Sequence, residues 1–345
     1  MKKKLFKDIL KFIFFIGIGI LLIWLFVRKL TPQEIEEIKL SLQNVKYIWL
    51  IVALLFAVLS NVARTSRWII LIEPLGYKMK YFNVFLSVLV AYFANLAIPR
   101  LGEVTRCGLL TKYEKIPFEK SFGTVITERV FDMLMFLLLF VVNLIWQFDL
   151  LKDYLNNRIF ASFNETSSIS GFALLVIIGI VVCLIVLFVF LFLKKRYPDN
   201  KIIVKITSLF LGFWDGIKSL IYIKRPWQFI FHTVLLWTCY FFMTYFVFFA
   251  LPETSHLGVN AAMSSLVFST IGIILVQGGI GIYPMIVSEV LVIYGISSAI
   301  GYASGWLIWL NQTVMVIFGG IVALILLPLI NNKKHEKPQT TTENC

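Results

Sequence analysis

Two arginines flank a break in an apolar run, in the sequence NLAIPRLGEVTR at 95–106. The guanidinium groups of Arg100 and Arg106 are planar forks of donors that stay charged when desolvated, which suits an anionic phosphate. The alternative is that both lie at the inner interface and extend toward lipid headgroups. Asn95 is the polar residue that opens this stretch. Gly102 either lets a headgroup approach the backbone closely or only permits the turn.

Further ionisable residues accompany this break. Glu103 can pair with an arginine or relay a proton, and a plain structural ion pair is the alternative. Glu128 and Arg129 lie four and three residues before Asp132, so the three side chains can share one helical face. A charge at membrane depth costs about 2.5–3.5 kcal/mol on insertion scales. We therefore expect an internal charge cluster here, with a solvated turn at the interface as the alternative.

A glycine-rich string, QGGIGIYP at 277–284, is the third unusual feature. Gly278, Gly279 and Gly281 would let an irregular backbone expose its amides inside a membrane, or would instead allow tight helix packing. Glu289 is the carboxylate nearest to the string, and as a polar residue in an apolar run it is expected to face the interior.

The elements that position these residues must be membrane helices. The chain has 345 residues, of which 59% are hydrophobic and 15% charged, a balance that excludes a soluble globular domain. We predict an all-α, polytopic helical membrane protein with about six full spans and two broken or re-entrant hairpins. The predicted full spans are about 11–28, 47–65, 121–147, 171–193, 227–250 and 303–329. The broken segments are about 82–112 and 260–300, with Pro99 in the first and Pro284 in the second.

The distribution of charge predicts the orientation. If the N-terminus is inside and 82–112 enters and leaves from one side, six basic residues fall outside and the other 26 of the 32 lie inside or in the broken segments. The outside residues are Arg28, Lys29, Lys39, Lys46, Lys152 and Arg158. Both termini are then cytoplasmic, and 149–170 and 251–259 are external. Arg64 and Arg67, which close the second span, are interpreted as topology anchors.

The two broken segments then enter from opposite faces, which predicts an inverted repeat of the kind found in transporters. Residues 32–46 and 201–223 have apolar side chains at helical spacing, and we interpret both as amphipathic helices on the membrane surface or packed on the protein's own loops. We predict one transmembrane domain over 1–330 and a disordered cytoplasmic tail over 331–345.

Other classes of site are not predicted. The three histidines are far apart and the four cysteines show no ligand spacing, so we expect neither a metal nor another cofactor. The net charge of +13 resides in loops between spans, so it is interpreted as a topology signal and no nucleic acid is expected as a partner. Membrane lipids are the expected partners, and an oligomer is compatible with the sequence.

The pattern Asn95-x3-Pro99-Arg100-x-Gly102-Glu103-x2-Arg106, with VITERVFD at 125–132 and QGGIGIYP at 277–284, resembles the flippase-like membrane region of lysylphosphatidylglycerol synthases. The resemblance covers about residues 10–330 and implies an integral plasma-membrane protein that moves a lipid or lipid-linked headgroup between leaflets. In the synthases a soluble aminoacyl-transfer domain follows this region. This chain ends fifteen residues after Ile330, so we expect it not to be an enzyme. Many relatives carry a glutamate where this chain has Pro284, which separates Glu289 from the family pattern.

Four functions are therefore compared. A lipid flippase with an anionic headgroup as substrate would need a polar groove open to the bilayer. A secondary transporter of a small anion would need the same arginines but a closed, watery path. An intramembrane enzyme on a lipid phosphate would need a nucleophile and base or a metal site, which the sequence does not indicate. A non-transporting membrane partner of another protein would use the surface helices.

Overall fold

The described part of the protein is all-helical. The computed structural model describes residues 17, 20, 21, 23–28, 30–98, 100–154, 192, 195, 196, 200 and 223–332, and these contain no strand. Its α-helices are α1 Pro32–Gln43, α2 Tyr47–Ile72, α3 Tyr81–Ala97, α4 Leu101–Glu114, α5 Phe118–Trp146, α6 Phe148–Tyr154, α7 Pro226–Phe248, α8 Val259–Leu275, α9 Ile282–Ile293 and α10 Ser298–Asn332. Short 3-10 helices lie at Glu73–Leu75, Pro252–Thr254 and Gln277–Gly279.

The chain divides into two compact units. The first comprises residues 1–129 and 223–345, and it contains the candidate site. The second comprises residues 130–222. Within the described part of this second unit, the side-chain amide of Gln147 donates a hydrogen bond to Asn143 one turn earlier on the helix.

Four of the predicted full spans correspond to the helices α2, α5, α7 and α10. Three segments of the described chain, Tyr47–Leu75, Pro226–Phe248 and Ser298–Asn331, are long and apolar enough to cross a membrane. Residues 23–27 of the first predicted span are helical. The rest of that span, the span at 171–193, the amphipathic stretch at 201–222 and most of the external loop at 149–170 fall outside the described residues.

The predicted break in the first broken segment is confirmed. Helix α3 ends at Ala97, Ile98 is extended with φ −140° and ψ 131°, and Arg100 has the left-handed φ of 62°. The residue before a proline is driven away from helical dihedrals by the proline ring, which explains why the helix cannot pass Ile98. The chain then turns back, so that α4 packs against α3.

The second broken segment has the same local geometry. Helix α8 ends at Leu275, Val276 is extended with φ −120° and ψ 130°, and Gly278 has φ 66° and ψ 1°. Gly279 and Gly281 also have positive φ values, of 71° and 77°. These glycines therefore supply the left-handed conformations that this irregular turn requires.

The correspondence between the two halves extends to whole helices. The pairs α2 and α7, α3 and α8, α4 and α9, and α5 and α10 begin 178 to 181 residues apart. Helices α3 and α8 both have 17 residues. This order of elements is what an internal repeat requires, and the opposite membrane orientation of its halves stays a prediction.

The first unit is held together by contacts between its two halves. Helix α7 packs along α2, and α10 packs against α3; α10 also packs against α9 within the second half. The 3-10 turn Gln277–Gly279 also contacts α3, so the second break lies against the helix that ends at the first break. Helix α10 continues to Asn332, beyond the predicted start of the tail at 331, because Asn331 exchanges amide hydrogen bonds of 3.0 Å with Asn83 on α3.

Candidate functional site

A single buried carboxylate is contacted by three arginines. Glu128 on α5 is fully buried, and Nη1 of Arg106 on α4 lies 2.9 Å from its Oε2. Nη2 of Arg67 on α2 donates to Oε1 at 3.1 Å, and Arg64 on α2 donates to the same oxygen. Because a buried carboxylate is costly without compensating charge, this shared contact explains how an ionised glutamate lies inside an apolar bundle.

Aromatic side chains surround the arginines. The Arg106 guanidinium lies 4.4 Å from the Trp68 ring centre, and that of Arg64 lies 5.6 Å from the Tyr92 ring centre. Arg64 also donates a 3.0 Å hydrogen bond to the hydroxyl of Tyr240 on α7. The ring faces favour a cation, so the cluster is stabilised by neighbours from several helices in addition to its ion pairs.

The interpretation of Arg64 and Arg67 as topology anchors is wrong. Their side chains are 5% and 0% exposed, and both contact Glu128. Their position at the end of an apolar run favours the interface, and the sequence does not show which carboxylate lies opposite them. Their spacing of three residues within a span was an available signal, because paired intramembrane charges imply a buried counter-ion.

A small polar cavity adjoins the cluster at the first helix break. It has a volume of about 10 Å³, room for about one water molecule, and its lining is Arg64, Val88, Ala91, Tyr92, Asn95, Gly102, Glu103, Arg106 and Arg129. Arg106 is 2% exposed, and its Nη2 has no hydrogen-bond partner among the described residues. A buried guanidinium nitrogen without a partner, on a side chain that lines a cavity, is a candidate donor for an anion.

A second ion pair lies at the same cavity and is looser than the first. Nη2 of Arg129 is 3.6 Å from Oε1 of Glu103, and the two side chains are 45% and 20% exposed. Oε2 of Glu103 has no hydrogen-bond partner among the described residues. The site thus combines a fixed carboxylate, Glu128, with a weakly held one.

The backbone at the break is fixed by Asn95 and Gly102. The amide of Gly102 donates to Oδ1 of Asn95 at 2.7 Å, which connects the start of α4 to the end of α3. A Cβ on Gly102 would lie 2.1 Å from the carbonyl oxygen of Ala91, so no other residue fits. Arg100 precedes α4, is exposed, and does not line the cavity, so the structure does not bring it together with Arg106.

The remaining predicted residues lie elsewhere. Trp309 on α10 donates a 2.7 Å hydrogen bond to the carbonyl of Gly278 and so fixes the second break. Glu289 is exposed, contrary to its expected interior position, and lines a different cavity of about 270 Å³ with Glu34 and Ser298. Asp132 follows Glu128 by one turn of α5 and belongs to the second unit.

The Glu34 carboxylate at that second cavity is committed to its own helix. The backbone amide of Thr31 donates to it at 2.7 Å and the Thr31 hydroxyl at 2.9 Å, and these bonds lower the pKa of Glu34. No group of His, Cys, Asp and Glu within the described ranges could hold a metal ion.

A buried charge cluster beside a broken helix, in a bundle of apolar helices, defines an integral membrane protein with an internal polar site. The family model of the lysylphosphatidylglycerol synthase TM region matches residues 9–320, and the chain belongs to this family.

Two archaeal proteins are similar over shorter stretches. The UPF0104 membrane protein MJ1595 of Methanocaldococcus jannaschii is 36% identical over 114 residues, which is 32% of this chain and 34% of the relative. A UPF0104 membrane protein of Methanothermobacter thermautotrophicus is 26% identical over 133 residues, 38% of each chain. The matches therefore span about a third of each relative's length. No solved structure matches this chain.

Proposed function

We propose that this protein moves a lipid with an anionic phosphate headgroup between the leaflets of the plasma (inner) membrane, with both of its termini in the cytoplasm. The observation that carries the proposal is the donor Nη2 of Arg106, which is buried, has no hydrogen-bond partner among the described residues and belongs to a side chain lining a polar cavity. A phosphate oxygen is the natural acceptor for such a nitrogen, because charge-assisted bonds to guanidinium groups are strong.

The geometry at the break supports this proposal in a second way. The close packing of Gly102 on Ala91 and the bond from Gly102 to Asn95 place the first turn of α4 beside the cavity. A helix N-terminus adds partial positive charge and favours an anion. Arg106 and the start of α4 would then act on the same headgroup.

The cavity as it stands is too small for a headgroup. A volume of about 10 Å³ holds about one water molecule. Transport therefore requires the hairpin of α3 and α4 to move and widen the site. The chain can bend at the two helix breaks without the loss of a helical hydrogen bond. The proposed cycle contains no covalent step.

Leaflet exchange in vesicles tests the proposal. The purified full chain is inserted into liposomes that contain a trace of fluorescent phosphatidylglycerol or phosphatidylcholine, and the label in the outer leaflet is bleached by an impermeant reductant. We expect faster access to inner-leaflet label for the anionic lipid than in protein-free liposomes. Uptake of inorganic phosphate without lipid exchange would instead assign a secondary anion transporter. If neither lipid exchange nor phosphate uptake is detected, the result assigns a membrane protein that binds another protein and does not itself transport.

A further inference from the structure

The two carboxylates of the site are held in very different ways. Glu128 is fully buried and contacts Arg64, Arg67 and Arg106, so no incoming anion can replace it without removing the charge at the centre of the cluster. Glu103 lies within ion-pair distance of a single described arginine, Arg129, at 3.6 Å. A pair at that distance with partly exposed side chains contributes little to stability.

Glu103 also lines the cavity that would receive an added anion. Arg106 and Arg129 line the same cavity, and Nη2 of Arg106 has no hydrogen-bond partner among the described residues. The cavity has room for about one water molecule, so a phosphate can enter only if a lining group moves, and Glu103 is the lining carboxylate that is loosely paired. A second negative charge beside the Glu103 carboxylate would in addition be repelled.

We propose that Glu103 is an internal mimic of the phosphate: an incoming phosphate headgroup displaces the Glu103 carboxylate from Arg129 and accepts a hydrogen bond from Nη2 of Arg106. The inference rests on the proposed function for its ligand and assigns to this glutamate the control of access to the site. Glu103 lies in the first turn of α4, and a change of its side-chain rotamer carries its carboxylate away from Arg129 while the backbone stays in place.

The consequence is opposite to that of an ordinary binding residue. Loss of Glu103 should strengthen the binding of phosphate, because the competing carboxylate is gone and both cations remain. Loss of Arg129 should weaken phosphate binding, because a cation that would contact the phosphate is removed. This loss outweighs the release of Glu103 from its ion pair. If the ion pair is purely structural, loss of Glu103 and loss of Arg129 should both lower the stability of the protein and neither should strengthen phosphate binding.

Binding to the detergent-solubilised full chain tests this. The probes are dihexanoyl phosphatidylglycerol and inorganic phosphate, titrated by calorimetry into the wild type, Glu103→Gln, Arg129→Gln and the control Glu114→Gln. Glu114 is on the same helix, where it accepts hydrogen bonds from the Lys80 amide and from Asn83, and it does not line the cavity.

We expect Glu103→Gln to bind the short-chain lipid about twofold to fivefold more tightly, Arg129→Gln to bind it more weakly, and Glu114→Gln to bind it as the wild type does. Equal tightening for inorganic phosphate would assign the site to the free anion, whereas tightening for the lipid alone assigns it to a headgroup. If Glu103→Gln does not fold, Glu103→Asp, which draws the carboxylate back by one methylene, should tighten binding to a smaller extent.

Unchanged or weaker binding by a folded Glu103 variant overturns the mimic. That failure is distinct from failure of the proposed function, because leaflet exchange by the wild type is measured separately. A chain that exchanges lipid while Glu103→Gln binds no tighter keeps the function and loses the mimic. A chain that binds as expected but exchanges no lipid keeps the mimic and loses the function.

Discussion

Arg106 and Glu128 form an ion pair of 2.9 Å in which the side chains are 2% and 0% exposed. They lie 22 positions apart on the consecutive helices α4 and α5, and Arg106 packs on the Trp68 ring from α2. This pair joins the broken hairpin to the charge cluster, so stability and ligand binding meet in one residue.

Removal of the central carboxylate should destabilise the fold strongly. Glu128→Gln keeps the volume of the side chain but takes away the anion that Arg64, Arg67 and Arg106 contact. Breaking a buried ion pair in this way costs about 3–5 kcal/mol, so we expect a large loss of folded protein. The measurement is the monodisperse yield and unfolding midpoint in detergent. Glu119→Gln, an exposed position on the same helix, is the matched control. A wild-type midpoint for Glu128→Gln would show that the cluster does not need its anion.

Glycine at the first break should be irreplaceable, in contrast to another glycine on the same helix. In Gly102→Ala the new Cβ would lie 2.1 Å from the backbone oxygen of Ala91, and α3 and α4 would have to separate. We expect a loss at or above the upper end of the usual range for overpacking, about 1–3 kcal/mol. Gly108→Ala meets no atom within 4 Å and should gain about 0.5–1 kcal/mol from helix propensity. Thermal unfolding of the two variants decides, and equal midpoints would contradict the close packing.

Arg100 should respond as a strained turn residue. Its φ of 62° favours glycine, so Arg100→Gly should stabilise the protein by about 0.5–1 kcal/mol and Arg100→Val should destabilise it. Since Arg100 does not line the cavity, Arg100→Gly should retain leaflet exchange. Thermal unfolding and the exchange assay test both statements together. Loss of exchange in a stable Arg100→Gly protein would show that Arg100 contributes to substrate binding or movement.

Orientation in the membrane can be tested with the native thiol at the C-terminus. The charge asymmetry predicts that Cys345 is cytoplasmic, so an impermeant maleimide should modify it only after the cells are permeabilised. Cys107 and Cys239 are buried and should not react. The control is His256→Cys with Cys345→Ser, since residue 256 is exposed and lies in the segment 251–259 that is predicted to be external. Labelling of Cys345 in intact cells would show that the C-terminus is external and would contradict the predicted orientation.

The sequence was sufficient to predict the two helix breaks but not the pairing of charges. A proline and clustered glycines act on the backbone locally, so positions 98–100 and 276–281 could be recognised without knowledge of the fold. Two of the three arginine partners of Glu128, Arg67 and Arg64, lie 61 and 64 residues away on α2 and can be identified only once the packing of α2 against its neighbours is known.

The predicted internal repeat is supported by the backbone and not by shared side chains. Ile98 and Val276 are both extended, and Arg100 and Gly278 both have left-handed φ values near 65°, yet the residues at these equivalent positions differ in chemistry. The backbone path is repeated while the side chains are not. The cations that line the cavity, Arg64, Arg106 and Arg129, all lie in the first half of the chain.

The most direct test of the account is leaflet exchange by Arg106→Lys. Lysine keeps a positive charge that can reach Glu128, so the protein should fold. It lacks the planar fork of donors, so it cannot contact Glu128 and also offer a second, fixed donor to the headgroup. One charge-assisted hydrogen bond contributes about 1.5–3 kcal/mol. We therefore predict that exchange of fluorescent phosphatidylglycerol falls at least about tenfold in Arg106→Lys protein that is still folded and monodisperse in detergent. Exchange at the wild-type rate by folded Arg106→Lys would contradict the claim that Arg106 binds the headgroup.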